Sequence, residues 1–416
     1  MNMQSRLVLI LVVLLWPSLA GRCVGAAEGG KWQSVVAGRA LDVTLLEPAP
    51  SRGATPARGA TMRADAPLPV VLYLKNLAAP RVGTESDAAI IADLRAAGHL
   101  VAVLDYAGHP RSRVPTLNRD LSKLRDDVRA KQFLAQRKID NAHVYIVPEG
   151  SRLVRDVVYY RDAGRTLALD IIYPSKPARP VGAVLEFSCD NENRMGNASL
   201  SICSDTILDG QATEGFAVAM ADHPVAPPYK GLDPMPECAW KIKAAVRTLR
   251  SHGAKLGLNG KIASVGFSRG SGMALMLVTT AGMTQFEGRG EHPGVSSAVQ
   301  GAVVMSGRFT YLDLLPDDHM LPRYAKAWGE RETSLDVWRR HGALDYLAGP
   351  TLPLFLTINV TEDPDALHQM KVLRKRLADL GSDEIFLMDR EPRGHKVPLV
   401  PGILAAMNAY LKTRLN

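Results

Sequence analysis

Alternating apolar strands and helices predict an α/β fold on a mostly parallel sheet, and three observations carry that expectation. Residues 262–281 read as an apolar strand running into Gly266-Phe267-Ser268-Arg269-Gly270 and straight on into a helical stretch. Further buried-looking strands at residues 353–359 and 384–389 end on polar loops that carry carboxylates and a histidine. The pattern of the first 150 residues recurs, in the same order, further along the chain.

The chain opens on a secretory signal over residues 1–26. Met1–Arg6 is short and basic, residues 7–16 are apolar but too few to span a bilayer, and small residues come next, with cleavage expected after Ala20 or near Ala26. Arg22 directly before Cys23 argues against a lipid anchor on that cysteine. With no later apolar stretch of membrane length, the mature protein is expected to be secreted or periplasmic. With 46% hydrophobic and 22% charged residues the composition is that of a folded globular protein, and the length allows two domains or one large one. The net charge of +8 includes Arg6 and Arg22, and the remaining arginines are interspersed with acids, which argues against nucleic-acid binding. Three mature cysteines remain, Cys189, Cys203 and Cys238. Cys189–Cys203 is the shortest possible closure and Cys203–Cys238 another, and the odd count leaves one thiol over. No Cys/His spacing reads as a zinc site, so neither metal nor cofactor is expected.

Residues 27–150 share the opening pattern of residues 151–416. Ala37-Gly38-Arg39 and Ala163-Gly164-Arg165 each lead into an apolar strand. The strands Val70–Lys75 and Ala183–Phe187 come next, then the helix starts Ser86-Asp87 and Ser204-Asp205. Residues 101–104 and 217–221 are strands running to Asp105 and Asp222, and Asp127-Val128-Arg129 and Ala245-Val246-Arg247 lie in helices before strands 143–147 and 262–265. Five matches in order imply a duplication. Where the second copy has Gly266 to Gly270, the first has Val147-Pro148-Glu149-Gly150-Ser151, with no serine at the central position. Residues 27–150 are therefore expected to be a truncated, catalytically dead half-copy of the unit at 151–416.

Gly-x-Ser-x-Gly alone arises by chance in about one chain in ten of this length, so its setting carries the inference. A serine on a sharp strand-to-helix turn needs small residues two before and two after it, and the helix start offers N–H groups and a positive dipole end to a developing oxyanion. In the order nucleophile, acid, base, Ser268 is followed by Asp363, in the loop after strand 353–359, and by His395, in the loop after strand 384–389. Glu362 and Asp365 are rivals for the acid; His341 and His368 fall in helices.

On these residues the segment 153–416 resembles an α/β-hydrolase, and more narrowly the secreted acetyl and feruloyl esterases of plant polysaccharides and their lipase relatives. Gly164-Arg165-Thr166-Leu167-Ala168-Leu169-Asp170 resembles the family's opening and Asp222-His223-Pro224-Val225-Ala226-Pro227 its Asp-Tyr-Arg-Leu-Ala-Pro segment. Thr361-Glu362-Asp363-Pro364 resembles its acid loop and Gly394-His395 its histidine loop. The resemblance implies an α/β-hydrolase fold and a serine ester hydrolase, with a peptidase of the same fold or a non-catalytic binding protein as alternatives. The family's His-Gly-Gly-Gly oxyanion segment is replaced by Phe187-Ser188-Cys189-Asp190-Asn191-Glu192-Asn193-Arg194. One oxyanion donor is then the N–H of Arg269 and the second comes from Cys189, Asp190 or the Asn191 side chain. Asn191, Asn193 and Arg194 are candidates to bind a polar, sugar-like substrate, so the partner expected is a small-molecule or polysaccharide ester. An insertion at 308–350, rich in Tyr and Trp, is placed to cover the cleft. Asn197 and Asn359 each begin an Asn-x-Ser/Thr pattern, but Asn359 ends a buried strand.

Overall fold

Period-two alternation of apolar residues resolves into two separate sheets. The structure, a computed structural model, describes residues 28–34, 39–49, 68–77, 81–106, 142–162, 165–187, 212, 214–222, 235–397 and 400–416. The smaller sheet holds β1 Glu28–Ser34, β2 Arg39–Leu46, β3 Leu68–Lys75, β4 Leu100–Asp105 and β5 Ala142–Pro148, in the order β1-β2-β4-β3-β5. The larger holds β6 Ser151–Asp162, β7 Arg165–Pro174, β8 Val181–Phe187, β9 Ala217–Ala221, β10 Leu258–Phe267, β11 Gly301–Met305, β12 Leu354–Asn359 and β13 Glu384–Asp389. Its order is β6-β7-β9-β8-β10-β11-β12-β13. The helices among the described residues are α1 Asp87–Ala96, α2 Glu237–Gly253, α3 Arg269–Thr279, α4 Leu321–Trp328, α5 Leu335–His341, α6 Pro364–Asp379 and α7 Pro401–Leu415.

The five strands of the small sheet and the first five of the large one share an order and a set of senses. In the small sheet β1–β2 and β2–β4 pair antiparallel while β3–β4 and β3–β5 pair parallel. In the large sheet β6–β7 and β7–β9 pair antiparallel while β8–β9 and β8–β10 pair parallel. From β10 the large sheet continues in parallel through β11, β12 and β13. Each parallel step needs a crossover, and α3, α6 and α7 belong to that part of the chain.

Alternate residues of the central strands feed two cores. Leu185, Ile262, Val304 and Leu356 face the cluster that contains Ala245 and Leu249 of α2, Leu275 of α3 and Leu373 of α6. Their neighbours Val184, Ala263, Val303 and Phe355 face the cluster that contains Leu404, Met407, Tyr410 and Leu411 of α7. The small sheet has its own core, in which Val71, Tyr73, Val101 and Val147 meet Ile90 and Leu94 of α1. Ser86 caps α1, its hydroxyl accepting from the Ala89 N–H at 3.4 Å.

The two sheets meet where β5 turns into β6. A Cβ on Gly83 would lie 2.1 Å from the Gly150 carbonyl oxygen, so the segment before α1 packs on the β5–β6 turn as closely as backbone allows. Arg152 donates to Glu85 at 2.6 Å and pairs with Asp93 at 2.7 Å, and the Tyr145 hydroxyl donates to the buried Asp170 at 2.9 Å. Among the described residues no helix is long and apolar enough to cross a membrane.

Candidate active site

Ser268 sits between β10 and α3 with φ 55° and ψ −120°, outside the regions an L-residue normally occupies. Such a conformation costs about 1–3 kcal/mol and persists only where the surroundings impose it. They do so here through glycines. A Cβ on Gly266 would stand 2.1 Å from the Gly270 carbonyl oxygen, and one on Gly270 would stand 2.7 Å from that of Phe187. Gly307, just after β11, is equally confined: its Cβ would lie 2.7 Å from the Ser268 carbonyl oxygen. The Ser268 N–H donates to the Met305 carbonyl at 3.0 Å, and the Ser271 hydroxyl donates to the Ser268 carbonyl. The backbone is thus held at the parallel-strand ends, with the Ser268 hydroxyl facing His395.

His395 comes from the loop after β13, behind Gly394 at φ 67°. Its Nε2 lies 2.9 Å from Ser268 Oγ, and its Nδ1 lies 2.8 Å from Glu362 Oε1. The imidazole rests against the Phe267 ring, with centroids 4.7 Å apart. Nδ1 bonded to a carboxylate carries the proton, which leaves the Nε2 lone pair facing the serine hydroxyl. The imidazole remains 46% exposed, so a substrate can reach it.

The carboxylate partner is Glu362, which corrects the expectation of Asp363. Asp363 is the N-cap of α6: its Oδ1 accepts from the Asp365 N–H at 3.0 Å, and Pro364 stands at the first helical position. Its Oδ2 lies 3.5 Å from His319 Nδ1. A cap's carboxylate is committed to its own helix end, whereas Glu362, one residue earlier and one methylene longer, reaches the imidazole. The Glu362 side chain is fully buried. Burial raises its pKa, but hydrogen bonds from His395 and from the Asp363 N–H at 2.9 Å outweigh burial and hold the carboxyl below its ordinary value. In the sequence Asp363-Pro364 reads equally as an acid loop and as a helix start, and only the cap bond seen in the structure separates the two. The other rival, Asp365, accepts from Arg308 at 3.0 Å and lies 3.1 Å from His319 Nδ1. Asp318, His319 and Asp365 stand close enough to share an ion. Arg308 already lies between the two carboxylates, at 2.7 Å from Asp318 and 3.0 Å from Asp365, and offsets part of their charge.

Arg269 opens α3, so its backbone N–H lies at the positive end of the helix dipole beside Ser268. Cys189, Asp190, Asn191, Asn193 and Arg194 lie outside the described residues, as do Cys203 and the signal segment 1–26. The insertion at 308–350 folds into an aromatic cluster: Tyr324 stacks on Trp328 at 4.9 Å, and His341 stacks on the same Trp328 at 4.1 Å. His341 Nδ1 lies 2.7 Å from the Val337 carbonyl oxygen, and burial pushes its pKa down, so it serves packing as a neutral ring. A cavity of about 60 Å³ lies between this cluster, α2 and α3, lined among others by Ile242, Arg269, Met273, Tyr311 and His341.

The strand order, the single reversed strand β7 and a strained serine at the tip of β10 give this chain the architecture of an α/β-hydrolase, and it resembles esterases of that kind. No family model matches the sequence, and no curated protein matches it. Among solved structures, it is similar to a truncated form of a carbohydrate esterase from gut microbiota, with a TM-score of 0.53 at 17% identity over 63% of this chain and 95% of that one. It is also similar to Thermogutta terrifontis esterase 2 phosphonylated by sarin, with a TM-score of 0.51 at 17% identity over 62% of this chain and 94% of that one. A bifunctional GH43-CE protein of Bacteroides eggerthii gives a TM-score of 0.52 at 21% identity, over 63% of this chain and 35% of that one.

Proposed function

We propose that this chain is a serine hydrolase of carboxylic esters. The observation that carries the reading is the continuous line Ser268 Oγ, His395 Nε2 at 2.9 Å, and His395 Nδ1 to Glu362 at 2.8 Å. In that reading Ser268 Oγ attacks the ester carbonyl carbon while His395 Nε2 takes its proton. The oxyanion forms against the Arg269 N–H and a second donor from the segment of Cys189 and Asp190. Collapse of the tetrahedral intermediate expels the alcohol, which receives the proton from His395. Water then attacks the acyl group on Ser268, His395 again accepting a proton and returning it to Oγ. Glu362 stays ionised throughout and stabilises the imidazolium that forms in both halves of the cycle; its buried, hydrogen-bonded carboxylate supports that role.

The substrate class proposed is a polar ester such as an acetylated or feruloylated polysaccharide. The sequence resemblance supports it, as do the names of the carbohydrate esterase and of the GH43-CE protein. Export is proposed from the signal segment, and the mature enzyme would meet such esters outside the cytoplasm. The small sheet is proposed to be the truncated, catalytically dead copy; the shared strand order supports it.

The test is turnover by the mature protein of acetylated xylo-oligosaccharide, a feruloyl sugar ester and a peptide anilide, beside Ser268→Ala. Ester turnover that disappears in the variant is expected. Folded protein that leaves every ester intact would refute the reading, and turnover of the anilide above the esters would make the chain a peptidase.

A further inference from the structure

His395 is half exposed, in a loop without regular structure between β13 and α7, yet it must hold two hydrogen bonds at once. What fixes it lies in the sequence Asn359-Val360-Thr361, the pattern that resembles a glycosylation site. Asn359 is fully buried as the last residue of β12. Its amide Nδ2 donates to the Glu391 carbonyl at 2.7 Å. Its Oδ1 accepts from the Thr361 N–H at 2.9 Å, from the Thr361 hydroxyl at 2.8 Å and from the Arg393 N–H at 3.3 Å. Thr361 Oγ1, having donated its single proton to Asn359, accepts from the Gly394 N–H at 3.0 Å.

The three backbone groups fixed in this way belong to residues 391, 393 and 394, which lead directly into His395. The two side chains that fix them lie just before Glu362 in the same turn. Thr361 precedes Glu362, and the Glu362 N–H donates to the Asn359 carbonyl at 3.2 Å. Acid loop and base loop are therefore tied to one another through the end of β12. We propose that Asn359 and Thr361 are positioning residues that lock the Glu362 loop to the His395 loop and so keep the imidazole in line with Ser268. The proposal rests on the esterase reading for its kinetic consequence but not for its structural one.

The test uses two substitutions at the exposed Thr361, where neither endangers folding. Thr361→Val keeps the shape and removes the hydroxyl; Thr361→Ser keeps the hydroxyl and removes the methyl. Three quantities are read on the mature protein: kcat and KM for a short-chain aryl ester, the melting temperature, and the low-field proton of His395 Nδ1–H in the NMR spectrum. Thr361→Val is expected to lower kcat by about 10- to 100-fold, the scale of a misplaced catalytic group, with KM and melting temperature little changed and the low-field proton broadened or lost. Thr361→Ser is expected to keep kcat within about threefold of wild type, since hydroxyl and hydrogen bonds survive, and to keep the low-field proton. Thr361→Val with wild-type kcat and an intact proton signal would overturn the proposal, and so would Thr361→Ser falling as far as Thr361→Val. If the wild type turns over no ester, the esterase reading fails while the NMR comparison still decides between locking and packing.

Discussion

At the tip of β5 the small sheet presents Glu149, and at the tip of β10 the large sheet presents Ser268. Both tips stand at the end of the fifth strand in sheets of the same order. After Glu149 the chain makes a tight turn through Gly150, at φ 78°, into β6; after Ser268 it enters the helix α3. The Glu149 carboxylate folds back on its own sheet, accepting the N–H groups of Asn76 at 3.2 Å and Leu77 at 2.9 Å, with Arg81 at 3.6 Å. Those N–H groups lie just past β3, at the place corresponding to the segment after β8 that is expected to complete the oxyanion site. The small sheet thus satisfies these N–H groups with an internal carboxylate. The large sheet sets a serine beside a helix start and adds β11, β12 and β13, whose loops bring Gly307, Glu362 and His395. In the proposed reading the shared strand order supplies a position, and the additional strands supply the chemistry.

The sharpest break in the comparison comes from the acid. Glu362→Gln keeps the shape but withdraws the charge that stabilises the imidazolium, and kcat is expected to fall by about 10³–10⁴-fold. Asp363→Asn keeps a good helix cap and is expected to lower kcat by less than about tenfold. Equal losses in the two, measured as kcat on one ester, would reverse the assignment of Glu362.

A smaller effect sharpens the comparison from the other side. Placing a serine at the small sheet's tip, Glu149→Ser, removes two acceptors for backbone N–H groups and is expected to cost on the order of 1 kcal/mol in stability by denaturant titration. Ester turnover is expected to stay at the wild-type level. In a Ser268→Ala background the same change should restore nothing, because Glu362 and His395 stand in the loops after β12 and β13 of the large sheet. Activity regained there would mean that the strand tip alone suffices.

The smallest effect is the pH dependence of stability. The folded-state pKa of Glu362 is lowered, so its contribution is present above the ordinary glutamate value of 4.5 and is lost as pH falls through the lower folded value. The gap in melting temperature between wild type and Glu362→Gln should therefore be widest near neutral pH and narrow as the pH falls below the ordinary glutamate value. A gap that stays constant over that range would show that the carboxylate's hydrogen bonds contribute nothing to the fold.

The sequence made the backbone requirements of the site legible and hid most of its side-chain traffic. Gly266 and Gly270 are readable because no side chain fits there, and the ends of β10, β12 and β13 are readable because buried strands stop abruptly at polar residues. His395 was legible from its place after the last strand. The acid was misassigned by one residue because two neighbouring carboxylates compete in a turn, and only the capping geometry of Asp363 separates them. Asn359 and Thr361 show in the sequence only an Asn-x-Thr pattern that points elsewhere, since an amide and a hydroxyl become a lock only when the β13 loop is laid beside them. The insertion at 308–350 showed its aromatic content but not that Trp328, Tyr324 and His341 would stack on one another.

The central claim is that Ser268 is activated by His395. Treating the mature protein with a fluorophosphonate and locating the adduct by mass spectrometry of its peptides tests it most directly. One phosphonyl group on Ser268, absent from Ser268→Ala and greatly slowed in Glu362→Gln, is the expected result. Folded protein that takes up no label, or that takes it up equally in Ser268→Ala, would contradict the claim.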